Sequence, residues 1–200
     1  LSSLAYGNTV NFKEVYTEGI TKITTDDFAY AKKLDKTIKL IAMGRETAEG
    51  RYAMVSPRMI SSENPLYCAQ DVFNAVLIHS DMLGDSMYYG RGAGKLPTAS
   101  AVVGDVIDAA RNIGKHLPLI LSEEKQEIKA KDSLSQQYFV RISGDEATVA
   151  ASVKAAFGEV SFVKADGVDG EVGFVTAEMT ECAYEAAASK VSGIIGMIRI

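Results

Sequence analysis

Basic residues are in deficit in this sequence. Of 200 residues, 21 are Lys or Arg and 26 are Asp or Glu, for a net charge of −5. Proteins that neutralise nucleic-acid phosphates need a surplus of Lys and Arg, so DNA and RNA are excluded as principal partners. No apolar run nears the roughly 20 residues that a membrane-spanning helix requires, and no membrane partner is expected. The two cysteines, Cys68 and Cys182, lie far apart and match no metal spacing. A disulfide or zinc framework is therefore not expected. His79 and His116 have no Cys or His neighbours at ligand spacing and read as structural residues, so no metal site is predicted. A signal-peptide pattern is absent too, and the composition suggests a cytoplasmic protein.

What is present is a foldable chain. The hydrophobic fraction is 47% and the charged fraction 24%, enough apolar surface to offset the entropy of ordering the backbone in one large domain or two modest ones. Leu1 to Ala5 is good helix material with Gly7 as a stop. It reads as the last turns of a helix begun upstream, and the chain as a fragment. Thr24-Thr25-Asp26-Asp27 combines capping hydroxyls with acids suited to a helix start, and the helix is expected to run to Leu34. Strands are predicted at Thr37–Met43 and Tyr52–Val55, the second ended by Pro57. Asn74–His79 and Ser86–Tyr89 read as an antiparallel hairpin.

After the hairpin comes Gly90-Arg91-Gly92-Ala93-Gly94-Lys95-Leu96-Pro97-Thr98, then a helix whose Ala99, Val102, Val103, Val106, Ala110 and Ile113 form one apolar stripe. Pro97 suits the first helical position and Thr98 a nearby cap. Glycines before a helix let backbone N–H groups approach an anion. The dinucleotide fingerprint nevertheless fails, since Lys95 stands where its third glycine belongs. The mononucleotide phosphate loop fails as well: Tyr89 replaces its first glycine and Leu96 its hydroxyl. On pattern alone the segment reads first as a strand-to-helix connection and second as a ligand site.

The remaining candidates are structural. Ser80-Asp81 beside His79 lacks a nucleophile elbow. Glu18 is a lone acid, Asp26-Asp27 read as helix capping, and the methionines and aromatics read as packing. Residues 117–136 carry mixed charge with little apolar periodicity and are expected to be a solvated linker dividing the chain. From Tyr138 the elements repeat once. A strand at 138–142, a helix at 146–157, strands at 160–164 and 172–177, a helix at 181–191 and a strand at 194–200 make βαββαβ. That is the ferredoxin-like order, which many activities share.

Several stretches of the first part resemble the homoserine dehydrogenase family of bacterial type. They are Val15 to Ile23, Ile38 to Ala42, Pro65-Leu66, Phe73 to Val76 and above all Met87 to Val103. The resemblance implies an α+β fold for residues 1–116, a mixed sheet with helices on one face, serving as the catalytic and substrate-binding domain. It implies NADP or NAD as cofactor and interconversion of L-homoserine and L-aspartate 4-semialdehyde, in threonine, methionine and isoleucine biosynthesis. Gly92, Ala93 and Gly94 inherit a cofactor-contact role, with Pro97 and Thr98 setting the helix start beneath them; Arg91 stands where the family usually shows proline. The family's nucleotide-binding domain, catalytic lysine and substrate-holding acids would precede Leu1. No catalytic residue is therefore assigned, and the isolated chain is expected to be inactive.

Residues 137–200 resemble an ACT domain, a small-molecule sensor. The resemblance implies an effector site at the Ser143–Thr148 turn, with Gly144 and Asp145 as the receiving residues and threonine as the expected effector; Thr148 takes the place of the usual glycine. A homodimer or larger homo-oligomer is implied, because the sheets of both modules pair between subunits in such families. The competing reading is a non-enzymatic amino-acid-binding regulatory or dimerisation module.

Overall fold

The computed structural model describes residues 1–116 and 121–200; the first four residues of the expected linker, 117–120, lie outside the described residues. The chain opens with α1 (Ser2–Tyr6), stopped by Gly7 in the left-handed region, then β1 (Asn8–Thr9), β2 (Tyr16–Thr17) and α2 (Thr25–Lys33). A long hairpin follows, β3 (Lys36–Thr47) and β4 (Gly50–Ser61), and then a second, β5 (Phe73–Ser80) and β6 (Gly84–Arg91). Next come α3 (Lys95–Arg111), β7 (Ser122–Lys125), β8 (Ser135–Gln136) and β9 (Tyr138–Ser143). The chain ends with α4 (Glu146–Phe157), β10 (Val160–Val163), β11 (Glu171–Thr176), β12 (Met179–Thr180), α5 (Glu181–Ala188) and β13 (Ile194–Arg199).

Contacts divide the chain differently from the sequence. One compact unit joins Leu1–Ile60 to Leu121–Ile200, and the other is Ser61–Ile120. The first unit is built on a seven-stranded mixed sheet in the order β10-β11-β9-β13-β4-β2, with β3 also on β4. Its last four strands in sequence give the expected ferredoxin-like order, antiparallel throughout. Arg199 of β13 then pairs in parallel with Arg58 of β4, which carries the sheet on into the N-terminal segment.

Alternation along β9 explains how this sheet is packed on both faces. Tyr138, Val140 and Ile142 point to one face and bury against Val149, Val153 and Phe157 of α4 and Tyr184 and Ala187 of α5. Phe139 points to the other face and packs with Tyr30 and Ala31 of α2, Met59 and Ile198. Gly173 of β11 makes the second face possible: a Cβ there would meet the Phe139 ring at 2.6 Å and Tyr30 at 2.9 Å. Helix α2 begins where its sequence indicates, with a reciprocal capping box between Thr24 and Asp27.

Two expectations need correction. Pro57 does not end its strand, because β4 runs on to Ser61. The proline sits between the point where β2 pairs with Val55 and the point where β13 pairs with Arg58. A residue without an amide proton is tolerated at such a change of partner. The described part of the expected linker is not a solvated spacer. There β7 pairs in parallel with β1, Leu134 and Gln136 are buried, and Lys129 N–H bonds to the Arg51 carbonyl. The charges of this stretch hid its few apolar anchors.

The second unit holds the β5–β6 hairpin, in register from Phe73 opposite Arg91 to Ser80 opposite Gly84, and helix α3. Phe73 and Tyr89 stack with their rings 4.8 Å apart. No residue of α3 is buried.

Candidate functional site

The glycine-rich segment is the strand-to-helix connection of the second unit. Gly92 N–H donates to the Val72 carbonyl at 3.2 Å, and the Asn74 side chain lies across the glycine so closely that a Cβ would fall 1.7 Å from its amide nitrogen. Gly94 has φ 111° and ψ 157°, a conformation essentially confined to glycine. It is the N-cap residue of α3 and offers no side chain, so no side-chain bond caps the helix. Helix α3 therefore starts at Lys95, two residues earlier than predicted. Pro97 is its third residue, where a missing N–H still costs no helical bond, and Thr98 N–H closes the first turn onto the Gly94 carbonyl at 3.1 Å. The structure thus brings Gly92, Ala93, Gly94, Pro97 and Thr98 together at an exposed helix N-terminus. Small residues and an uncapped dipole suit the approach of an anionic, flat ligand.

At the other end of the β5–β6 hairpin from Arg91, His79 Nδ1 lies 2.6 Å from the Asp85 carboxylate, a cross-strand pair open to solvent. Cys68 and Cys182 are free and exposed. Among the described residues no group of three or more His, Cys, Asp or Glu is placed to hold a metal ion.

The turn between β9 and α4 lies in the first unit. Gly144 has φ 108°, and its N–H donates to the Gly170 carbonyl at 2.8 Å. Asp145 caps α4 by accepting from Thr148 N–H at 2.9 Å, and the Thr148 hydroxyl returns a bond to the Asp145 carbonyl at 2.8 Å. The Thr148 amide bond holds the Asp145 carboxyl below the usual carboxylate range. That carboxylate is thus committed to capping, as the Gly144 N–H is to the Gly170 carbonyl. An open groove lies at the other end of the module, near Gln137, Lys154, Glu159, Ser161 and Thr176.

Two buried ion networks escaped the sequence reading. Arg141 of β9, almost wholly buried, donates from Nε and Nη2 to the two Glu171 oxygens at 2.7 Å each, and also reaches Asp27 at 3.0 Å and Asp26 at 3.1 Å. The acids read as helix capping do that work and also tie α2 to the sheet. Arg199 makes a two-pronged pair with Glu181 at 3.0 and 2.6 Å and reaches Glu18 at 2.6 Å, so the lone acid has a partner after all. Lys131 adds a third cation, 2.6 Å from Glu181. Burial alone would push the Glu181 carboxyl up, but the bonds from Arg199 and Lys131 prevail and hold it below its ordinary value. Partners separated by up to 181 positions leave no trace in local pattern.

Comparison with known proteins decides what this arrangement belongs to. The homoserine dehydrogenase family model matches residues 1–107. The chain belongs to the homoserine dehydrogenase family. A homoserine dehydrogenase of Neisseria gonorrhoeae is 38% identical over 73% of this chain and 35% of its own length. One from Mycobacterium bovis is 34% identical over the whole chain and 51% of its own length. The crystal structure of a homoserine dehydrogenase from Thiobacillus denitrificans superposes with a TM-score of 0.82 at 27% identity, covering 99% of this chain and 50% of that one. The chain thus spans about half or less of the relatives it matches. It is an α+β member of an oxidoreductase family, and no described helix is long and apolar enough to cross a membrane.

Proposed function

We propose that these 200 residues are the C-terminal part of an NAD(P)-dependent homoserine dehydrogenase that interconverts L-homoserine and L-aspartate 4-semialdehyde. The observation that carries this reading is the uncapped N-terminus of α3, entered through Gly92-Ala93-Gly94 inside the segment matched by the family model. The nicotinamide, when bound, accepts or supplies the hydride. This chain's part is to let that cofactor come close. Gly92 and Gly94 present backbone without side chains, while Pro97 and Thr98 fix the first turn of α3 beneath them. Residues 1–116 form the catalytic and substrate segment in this reading, without the general acid or base, so the chain alone does not turn over substrate. The protein works in the cytoplasm as a homodimer or larger homo-oligomer.

Residues 137–200 are an ACT-like regulatory module, joined through 117–136, that senses threonine at Gly144 and Asp145. Its support is the complete βαββαβ order, with a glycine of positive φ, Gly144, in the turn between the first strand and first helix of the module.

The test joins this chain to the N-terminal half of the Neisseria gonorrhoeae relative and follows NADP reduction with L-homoserine. Turnover by the folded chimera but not by the 200-residue chain is expected. Turnover by the chain alone overturns the division of labour, and none by the chimera overturns the enzymatic reading. Calorimetry with threonine is expected to give heat; none with any amino acid favours a dimerisation module instead.

A further inference from the structure

Arg58 is a buried cation without a counter-ion. It sits on β4 beside β13, only 9% exposed, and belongs to neither the turn at residues 92–98 proposed to meet the cofactor nor the β9–α4 turn proposed to meet the effector. Among the described residues no carboxylate pairs with it, in contrast to Arg141 and Arg199, each of which holds at least two. Its bonds are two, both from Nη2: to Gln136 Oε1 at 2.8 Å and to Met54 Sδ at 3.1 Å. Its Nε is buried and donates to nothing. A guanidinium has five N–H donors and no acceptor; here Nη2 carries both bonds and the buried Nε carries none.

The surroundings add positive charge. Burial lowers the Arg58 pKa to about 10, and the charges of Arg199 and Arg45 act in the same direction, against a smaller pull from Tyr138 and Glu181. Glu181 is already shared between Arg199 and Lys131, and Glu18 is held by Arg199. A thioether is a weak acceptor, yet two buried donors converge on one here: the Ser56 hydroxyl also points at Met54 Sδ, from 3.8 Å. The sulfur stands where an oxyanion could accept from both, on an unbranched side chain buried with Tyr52 and Leu134 that an entering anion has to displace.

We propose that Arg58, with Ser56 and Gln136 around it, forms a binding site for a small oxyanion, the carboxylate or phosphate group of a ligand, which displaces the Met54 thioether. The anion supplies the charge the protein leaves out. This accounts for an arginine at a position where a buried unpaired cation is otherwise costly.

Inorganic phosphate and acetate, each titrated at ionic strength held constant with NaCl, serve as probes on the 200-residue chain. At least one should raise Tm progressively, as linkage requires of a ligand that binds only the native state, and Arg58→Met should abolish the rise. The Nε–Hε signal of Arg58 in the 15N spectrum, identified by its loss in Arg58→Lys, should shift along the same titration. That readout needs only the wild-type fold plus an assignment, so an unstable Met variant does not block it. Phosphate alone effective indicates a phosphorylated ligand, acetate alone a carboxylate. A signal that neither probe moves, or a Tm rise that survives in Arg58→Met, overturns the proposal. Neither outcome depends on turnover, so the enzymatic reading stands or falls separately.

Discussion

Helices α3 and α4 carry the same kind of apolar stripe and meet opposite fates. Val149, Val153 and Phe157 of α4 are buried in the core of the first unit. On α3, Val102, Val103, Val106 and Ile107 remain 44–62% exposed. The difference is not in periodicity, since both stripes lie on segments that form helices. It lies in whether the chain supplies a facing sheet. Amphipathicity registers a need for a partner without saying where that partner is. The hairpin of the second unit repeats the point, with Val76, Ile78 and Met87 each at least 36% exposed beside paired strands.

Core truncation should separate the two regions most sharply. Phe174→Ala removes a wholly buried ring that touches Phe157 and Phe162, and should cost about 3–5 kcal/mol in urea unfolding. Ile107→Ala on α3 should cost less than about 0.5 kcal/mol. Similar losses at the two sites would erase the contrast.

Backbone strain comes next. Gly94→Ala forces a side chain into a conformation that only glycine adopts freely, at a cost of about 1–3 kcal/mol. The loss should be read as lower helical ellipticity or lower Tm. No loss would mean that the connection is not rigid enough to position anything.

The smallest effect is electrostatic and belongs to the first unit. The Glu181 carboxyl is held below its ordinary value in the folded state. Its contribution is therefore fully present above the unfolded pKa of about 4.3 and is lost as pH falls through the lowered folded value. Stability of the wild type should decline across that acid window more steeply than that of Glu181→Gln. Parallel acid profiles would show that the Arg199 pair contributes nothing to folding.

Much of the fold is legible locally. The capping box at Thr24 and Asp27, the stop at Gly7, the four-residue steps of α4 and the hairpin at 73–91 all follow from neighbours within a few positions. The glycine turn is legible as a turn because Gly94 needs its unusual backbone wherever it lies; its link to a cofactor came from family likeness. Illegible were the strand that runs through Pro57, the anchoring of 121–136 and the partners of Arg141 and Arg199. Each depends on residues that only the folded chain brings together.

By itself, then, the sequence determined most of the helices, the second hairpin, the ferredoxin-like order of the last third and the family, because short-range sterics, periodicity and motif all act along the chain. Tertiary structure alone decided that the C-terminal sheet continues into β4 and that α2 covers its second face. It also decided that Arg141 and Arg199 are compensated while Arg58 is not. Charge compensation is a property of distance in space, and the local pattern of residues holds no measure of it.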